Sequence, residues 1–159
     1  MSTNRGQRGA VLLELVVAVG IMAMVASLAS SAVFQMFKTS EKGTDRVIAL
    51  HDLENAIHWI DLDTGKANAS DLVDGAPPVE AMTLTWTEGS TLHTVTYTFS
   101  GTELRRDHNG QVTAVARHLS NIEFSMLNSV ITATITSSPD GRWGVSKEMA
   151  CKAWLQPME

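Results

Sequence analysis

Arg8-Gly9-Ala10-Val11-Leu12-Leu13-Glu14-Leu15 opens the stretch that decides how this chain is read, and the apolar run continues from Ala10 to Phe34. A helix needs roughly 20 mostly apolar residues to cross a bilayer, and this run is long enough. Between Ala10 and Phe37 the only ionisable side chain is Glu14. In front stands a short polar leader, Met1 to Gly9, carrying Arg5 and Arg8. The rest of the 159-residue chain holds nearly all the remaining charge, within a total of 18% charged residues and a net charge of −5. That asymmetry implies two environments, one apolar and one aqueous. The mildly acidic balance lacks the basic face that nucleic acid requires.

Three readings of the apolar run compete. A secretory signal peptide would place its cut near the small pairs Ser27 and Ala29 or Ser30 and Ala32. Its apolar core normally spans only roughly 7–15 residues, however, and a carboxylate fits poorly inside it. A plain membrane anchor suits the length, but an acidic group at the membrane centre costs on the order of 2.5–3.5 kcal/mol and calls for a partner. The third reading gives Glu14 a purpose.

The series Arg8-Gly9-Ala10-Val11-Leu12-Leu13-Glu14 resembles the cleavage and methylation signature of type IV prepilins and pseudopilins. That signature is a basic leader ending in Gly, a scissile bond, three further apolar or small residues after the new first one, then Glu and an apolar helix. Counted from a cut after Gly9, Glu14 is the fifth residue. The resemblance implies that a membrane-embedded prepilin peptidase cleaves between Gly9 and Ala10, and that the new amine of Ala10 is N-methylated. The ammonium group so created lies beside hydrocarbon and needs a counter-charge. Glu14 of an adjacent subunit would supply it, neutralising two costly groups at once and setting the axial stagger between subunits. Ala10 and Val11 depart from the Phe or Met and the Thr that the family often has there. The segment also lacks the mid-helix proline of many major pilins. Gly20 is a far weaker helix breaker, so a more continuous helix is expected.

Beyond Phe37 the chain turns polar while helical spacing persists. Val47, Leu50, Leu53, Ile57 and Ile60 fall at three- and four-residue intervals, the stripe of an amphipathic helix. Asp45, Arg46, Asp52, Glu54 and His58 are assigned to its other faces, and Gly65 is the expected stop. The polar cluster around Gly43 is the place where bending or fraying is expected. Residues 66 to 79, with Pro77-Pro78, read as a loop. The period then shifts to two, with strands expected over 83–87, 93–99, 102–106, 112–116, 122–126, 130–136 and 145–155. Glu88-Gly89-Ser90, Asn109-Gly110, Leu127-Asn128-Ser129 and Pro139-Asp140-Gly141 supply the turns. Thr-rich alternation implies an antiparallel sheet with one wet and one dry face, the dry one covered by the helix stripe.

The expected fold is therefore α+β and pilin-like, a long N-terminal helix packed against a C-terminal antiparallel sheet. Its parts are a leader (1–9), a transmembrane and assembly helix (10–37), an amphipathic helix packing on the head (38–63) and a β-rich head outside the cytoplasm (64–159). Leu53 to Ala67, Val95 to Arg106, Val115 to Phe124 and Val130 to Ile135 are similar to J-type minor pseudopilins and W-type minor pilins. The resemblance implies a single-pass protein of the bacterial inner membrane that enters a pilus or pseudopilus. Its partners would be the prepilin peptidase, other pilin or pseudopilin subunits and the inner-membrane assembly platform.

No catalytic set stands out, and neither cofactor nor metal is expected. Cys151 is single, so no intrachain disulfide forms, and it reads as a small buried residue in a late strand. His51 and His58 share a helix side among acidic residues and read as solvated. Asp61, Asp63 and Asp71 only faintly suggest a calcium loop, because Gly65 and Lys66 break the ligand pattern. Trp59, Trp86, Trp143 and Trp154 are candidates for the core or for a subunit interface. Three uses of such a chain stay open: a minor subunit for initiation or the tip of a filament, a major subunit, and a membrane-tethered β-rich binding module.

Overall fold

The structure is a computed structural model that describes residues 5–139 and 144–156, with side chains from Val11 onward. Met1 to Asn4 of the expected leader, Asp140 and Gly141 of the last expected turn, and Trp143 lie outside the described residues. The chain forms two compact units, one up to Glu41 and the other from Lys42 onward.

Helix α1 (Arg5–Thr64) comprises 60 residues. The fraying expected around Gly43 is absent, because every residue from Lys38 to Thr44 is helical. A single glycine costs only about 1 kcal/mol of helix propensity, and the good helix formers on either side outweigh it. In the first unit the apolar side chains are uncovered. The large ones between Val11 and Phe37 range from 53% to 75% exposed. This helix is long and apolar enough to cross a membrane, and none of its most apolar part is buried.

In the second unit the helix has a buried side. Ala49, Leu53, Ala56 and Ile60 are fully buried, and Asp63 and Thr64 continue their line. The buried stripe thus differs from the one expected: Val47 is 66% exposed, while Asp45, placed on the wet face by sequence, is buried. Asp52 also turns toward the head, where it accepts from the Arg117 amide and contacts His118 Nδ1 at 3.0 Å. Ala49 and Ala56 alternate with Leu53 and Ile60 along this line, so small and large side chains share the packed face. The helix ends where sequence places the stop. Gly65 N–H still donates to Asp61 O (2.9 Å), and the chain turns back through Ala67 N–H to Asp63 O (3.0 Å).

The strands are β1 (Ala69–Ser70), β2 (Ala81–Glu88), β3 (Thr91–Ser100), β4 (Glu103–His108), β5 (Gln111–Ala116), β6 (Leu119–Leu127), β7 (Val130–Ser137) and β8 (Lys147–Trp154). All their pairings are antiparallel. Two points correct the sequence reading. Short β1 lies inside the stretch read as loop, and the strands divide into two sheets, β1-β2-β3-β4-β5 and β6-β7-β8. The division falls at Arg117-His118, where His118 takes a left-handed φ of 53° and redirects the chain away from β5. Alternation along a strand cannot reveal this, because it reports which face is dry and not which neighbour is paired. The two sheets share one core: Leu53, Ala56 and Ile60 pack with Met82, Leu84, Val95, Tyr97 and Leu104 of the first, and with Ile122, Phe124, Ile131 and Ile135 of the second.

Candidate functional site

Two places carry chemistry beyond packing, one in each unit. In the first, Gly9 and Ala10 lie on the helical backbone of α1, and their surroundings fall outside the described side chains. Glu14 is exposed on the same helix, among exposed Val11, Leu12, Leu13, Leu15, Val16 and Val17. No ion pair of Glu14 occurs among the described residues. A carboxylate presented on an apolar cylinder is stable only where water reaches it or a positive group meets it. The hydroxyls further along need no such help. Ser27 donates to Met24 O (2.8 Å), Ser30 to Ala26 O (2.8 Å) and Ser31 to Ser27 O (2.9 Å). Each donor is satisfied within its own helix, as an apolar medium demands. Glu14 is therefore the group on this surface whose needs the helix does not meet.

In the second unit the end of α1 is tied to the sheet by a buried polar network. Asp63, 1% exposed, accepts from Arg106 Nε at 2.6 Å and Nη2 at 2.8 Å, a two-pronged pairing. The Tyr97 hydroxyl donates to the same carboxylate. The Arg106 guanidinium also lies 4.8 Å from the centroid of the Trp59 ring, so its face is covered by an aromatic surface. The reason for this arrangement is local. The last turn of α1 contains no basic residue, and its carbonyl ends carry partial negative charge beside Asp61 and Asp63. Arg106 supplies from β4 the positive charge that the helix lacks. Burial, then the hydrogen bond to Asp63, pushes the Tyr97 phenol far above its ordinary range. Arg106 is likewise raised, first by its hydrogen bond to Asp63.

Sequence reading missed this network, although one signal for it exists. Leu104 and Arg106 share a strand face under the two-residue period, and Leu104 is core. An arginine on the dry face requires a buried carboxylate, and Asp63 is the one at the helix end. Asp63 is thus committed to Arg106, while Asp71 Oδ1 accepts from the Thr83 amide at 2.7 Å. Two of the three carboxylates of the faint calcium loop are thus engaged within the chain. Among the described residues no cluster of three or more His, Cys, Asp and Glu side chains gathers as a metal cage.

The remaining candidates divide. His51 and His58 are exposed. Cys151 is half-buried in β8 opposite Ala133, and desolvation raises its thiol above the ordinary value. Trp86 is buried, Trp59 is half-buried beneath Arg106, and Trp154 is 70% exposed on the edge strand of the smaller sheet. No family model, curated protein or solved structure matches this chain.

Proposed function

We propose that the chain is a prepilin-like precursor whose mature form enters a type IV pilus or a type II secretion-like filament through its N-terminal helix. One observation carries this reading: Glu14, the fifth residue after Gly9, is the sole ionisable side chain between Ala10 and Phe37, in a run whose large apolar side chains are exposed. A membrane alone can cover the apolar side chains but leaves the carboxylate at a cost. A bundle of such helices covers both, provided a positive group arrives beside Glu14. The amine of Ala10 on a neighbouring copy or a related subunit is that group once the leader is removed. The second unit supports the same reading, because it is a β-rich domain with a core of its own. With no mid-helix proline and no disulfide pair, the subunit suits a minor role at initiation or at the tip better than bulk polymer.

Mass spectrometry of the N-terminus, from cells carrying a prepilin peptidase, tests the proposal. A mature start at methylated Ala10 is expected. A chain beginning at Met1, or one beginning near Ser30, overturns it. Glu14→Ala should leave cleavage intact and lower incorporation into filaments at least tenfold by immunoblot. Normal incorporation removes the charge-pairing role.

A further inference from the structure

Trp86, His93 and His108 gather on one face of the larger sheet. Trp86 lies directly opposite His93 across β2 and β3, and His108 lies opposite Val95 across β3 and β4. Successive side chains alternate faces, so His93 and Val95 share a side and the two imidazoles become diagonal neighbours. Trp86 stacks on both, with ring centroids 5.2 Å from His93 and 5.7 Å from His108. The imidazoles meet edge on: His93 Nδ1 and His108 Nε2 are 3.3 Å apart. On the far side of its ring, His93 Nε2 is 3.8 Å from the Glu88 carboxylate.

We propose that His93 and His108 form a two-imidazole binding site for a divalent transition-metal ion of the zinc or copper(II) class. This inference is independent of the filament reading. Two ring nitrogens at this separation have two uses: one proton between them, or one cation bound to both. Zinc–nitrogen bonds of about 2.0–2.1 Å at a tetrahedral angle place the two nitrogens about 3.3–3.4 Å apart, close to the spacing found. The right angle of a copper(II) site draws them to about 2.8–3.0 Å. The surroundings favour bare nitrogens on the facing edges. Asn109 Nδ2, which can only donate, faces His93 Nδ1 and so favours the tautomer that leaves Nδ1 a lone pair. The Glu88 carboxylate lies 3.8 Å from the opposite nitrogen, beyond direct hydrogen-bond reach. His108 presents its own lone pair when its proton moves to Nδ1, so the neutral pair takes up the cation without losing a proton. The Asn109 Nδ2 contact to His93 Nδ1, 3.5 Å long, is given up. The Asn109 side chain stays anchored, since its Oδ1 accepts from the Thr94 amide at 2.9 Å. Imidazole suits both ions, and copper(II) binds more tightly than zinc by the general order of divalent metals. Water completes the coordination. The His93 side chain is 21% exposed, which leaves a route for the ion to enter.

The test is titration of the tag-free full chain in detergent, with copper(II) followed by tryptophan fluorescence and zinc by calorimetry. Trp86, stacked on both rings, should be quenched by copper(II) at about one ion per chain. His93→Ala and His108→Ala should each weaken binding at least tenfold, while His51→Ala, His58→Ala and His118→Ala leave it unchanged. Electron paramagnetic resonance of the copper-loaded native chain should show two imidazole nitrogens, a readout that needs no variant to fold. Absence of a saturable site overturns the proposal and leaves a hydrogen-bonded pair stacked on tryptophan. Binding that survives His93→Ala, that follows one of the other histidines, or that shows fewer than two imidazole nitrogens overturns it equally.

Discussion

Residues 11–37 and residues 42–64 belong to one helix, yet they meet the hydrophobic effect in opposite ways. In the upper stretch Leu53, Ala56 and Ile60 are buried in the core they share with strands of the same chain. In the lower stretch every large apolar side chain is exposed. Burying a single leucine or valine stabilises by about 1.5–3 kcal/mol, so the lower stretch leaves a large driving force unspent within the chain. The polar groups divide less cleanly, since Asp45 Oδ2 and Thr64 Oγ1 in the upper stretch are buried without a hydrogen-bond partner among the described residues. Asp63 in the upper stretch finds Arg106 and Tyr97 within the head. Glu14 in the lower stretch has no ion pair among the described residues. One apolar face of the upper stretch is covered within the chain, and the large apolar side chains of the lower stretch stay exposed.

The largest expected effect breaks the covered side of this contrast. Arg106→Ala removes the cation from Asp63 and leaves a carboxylate that is 1% exposed without its partner. Removing one member of a buried pair costs about 3–5 kcal/mol, and chemical unfolding followed by tryptophan fluorescence should show a loss of that size. A loss below about 1 kcal/mol would mean that water reaches Asp63 and that the network does little to hold the helix end.

Next in size is a matched pair of truncations along the one helix. Leu53→Ala should destabilise the head by about 2–5 kcal/mol, because the side chain is fully buried and the rigid sheets collapse only partly around the gap. Leu28→Ala, on an exposed position of the lower stretch, should move head unfolding by no more than about 0.5 kcal/mol in detergent. Equal losses from the two variants would break the contrast, since they would show that the lower stretch is packed by the head as well.

Much of this division is legible in sequence, for reasons particular residues make plain. Residues 11–37 announce themselves because nothing polar but Glu14 and a few serines interrupts them. The hairpins are legible because their turns need unusual backbone angles. Asn109 and Gly110 both take positive φ between paired His108 and Gln111, as do Asn128 and Ser129 between Leu127 and Val130. Two-residue turns of this hand demand residues that tolerate such angles. The dry register of the strands also reads correctly, since Met82, Leu84 and Trp86 alternate as buried residues. The rest depends on partners far apart in sequence. That the helix buries Asp45 and leaves Val47 exposed is not written in its local pattern. The split into two sheets depends on one backbone angle at His118. The Asp63–Arg106 pair spans 43 residues and His93–His108 spans 15, and no local pattern joins such residues. Of the expected site, Glu14 is visible as an exception to its surroundings, whereas the cut between Gly9 and Ala10 rests on resemblance.

The smallest effect sharpens the contrast by pH. Tyr97 is fully buried, and burial with the Asp63 hydrogen bond holds its phenol protonated well beyond its ordinary value of 10.0. In the unfolded chain the phenol loses its proton near pH 10, so above that pH the folded state binds more protons than the unfolded state. Stability then falls as pH rises, since it follows the difference in bound protons and here the unfolded state holds fewer. The contribution is intact below about pH 10 and declines above it at about 1.4 kcal/mol per pH unit for a single group. Cys151 acts in the same sense, because desolvation raises its thiol as well, and its decline begins near its ordinary value of 9.0. Unfolding measured at pH 9, 10 and 11 should show this slope in the native chain. Tyr97→Phe should remove the part that begins at about pH 10 while keeping the ring in the core, and Cys151→Ala the part that begins lower. Both groups belong to the head, so helicity of the lower stretch in detergent should stay constant over the same range. A native chain whose head stability is flat to pH 11 would show that Tyr97 is reached by water, and the network at the end of α1 would lose its sealed character.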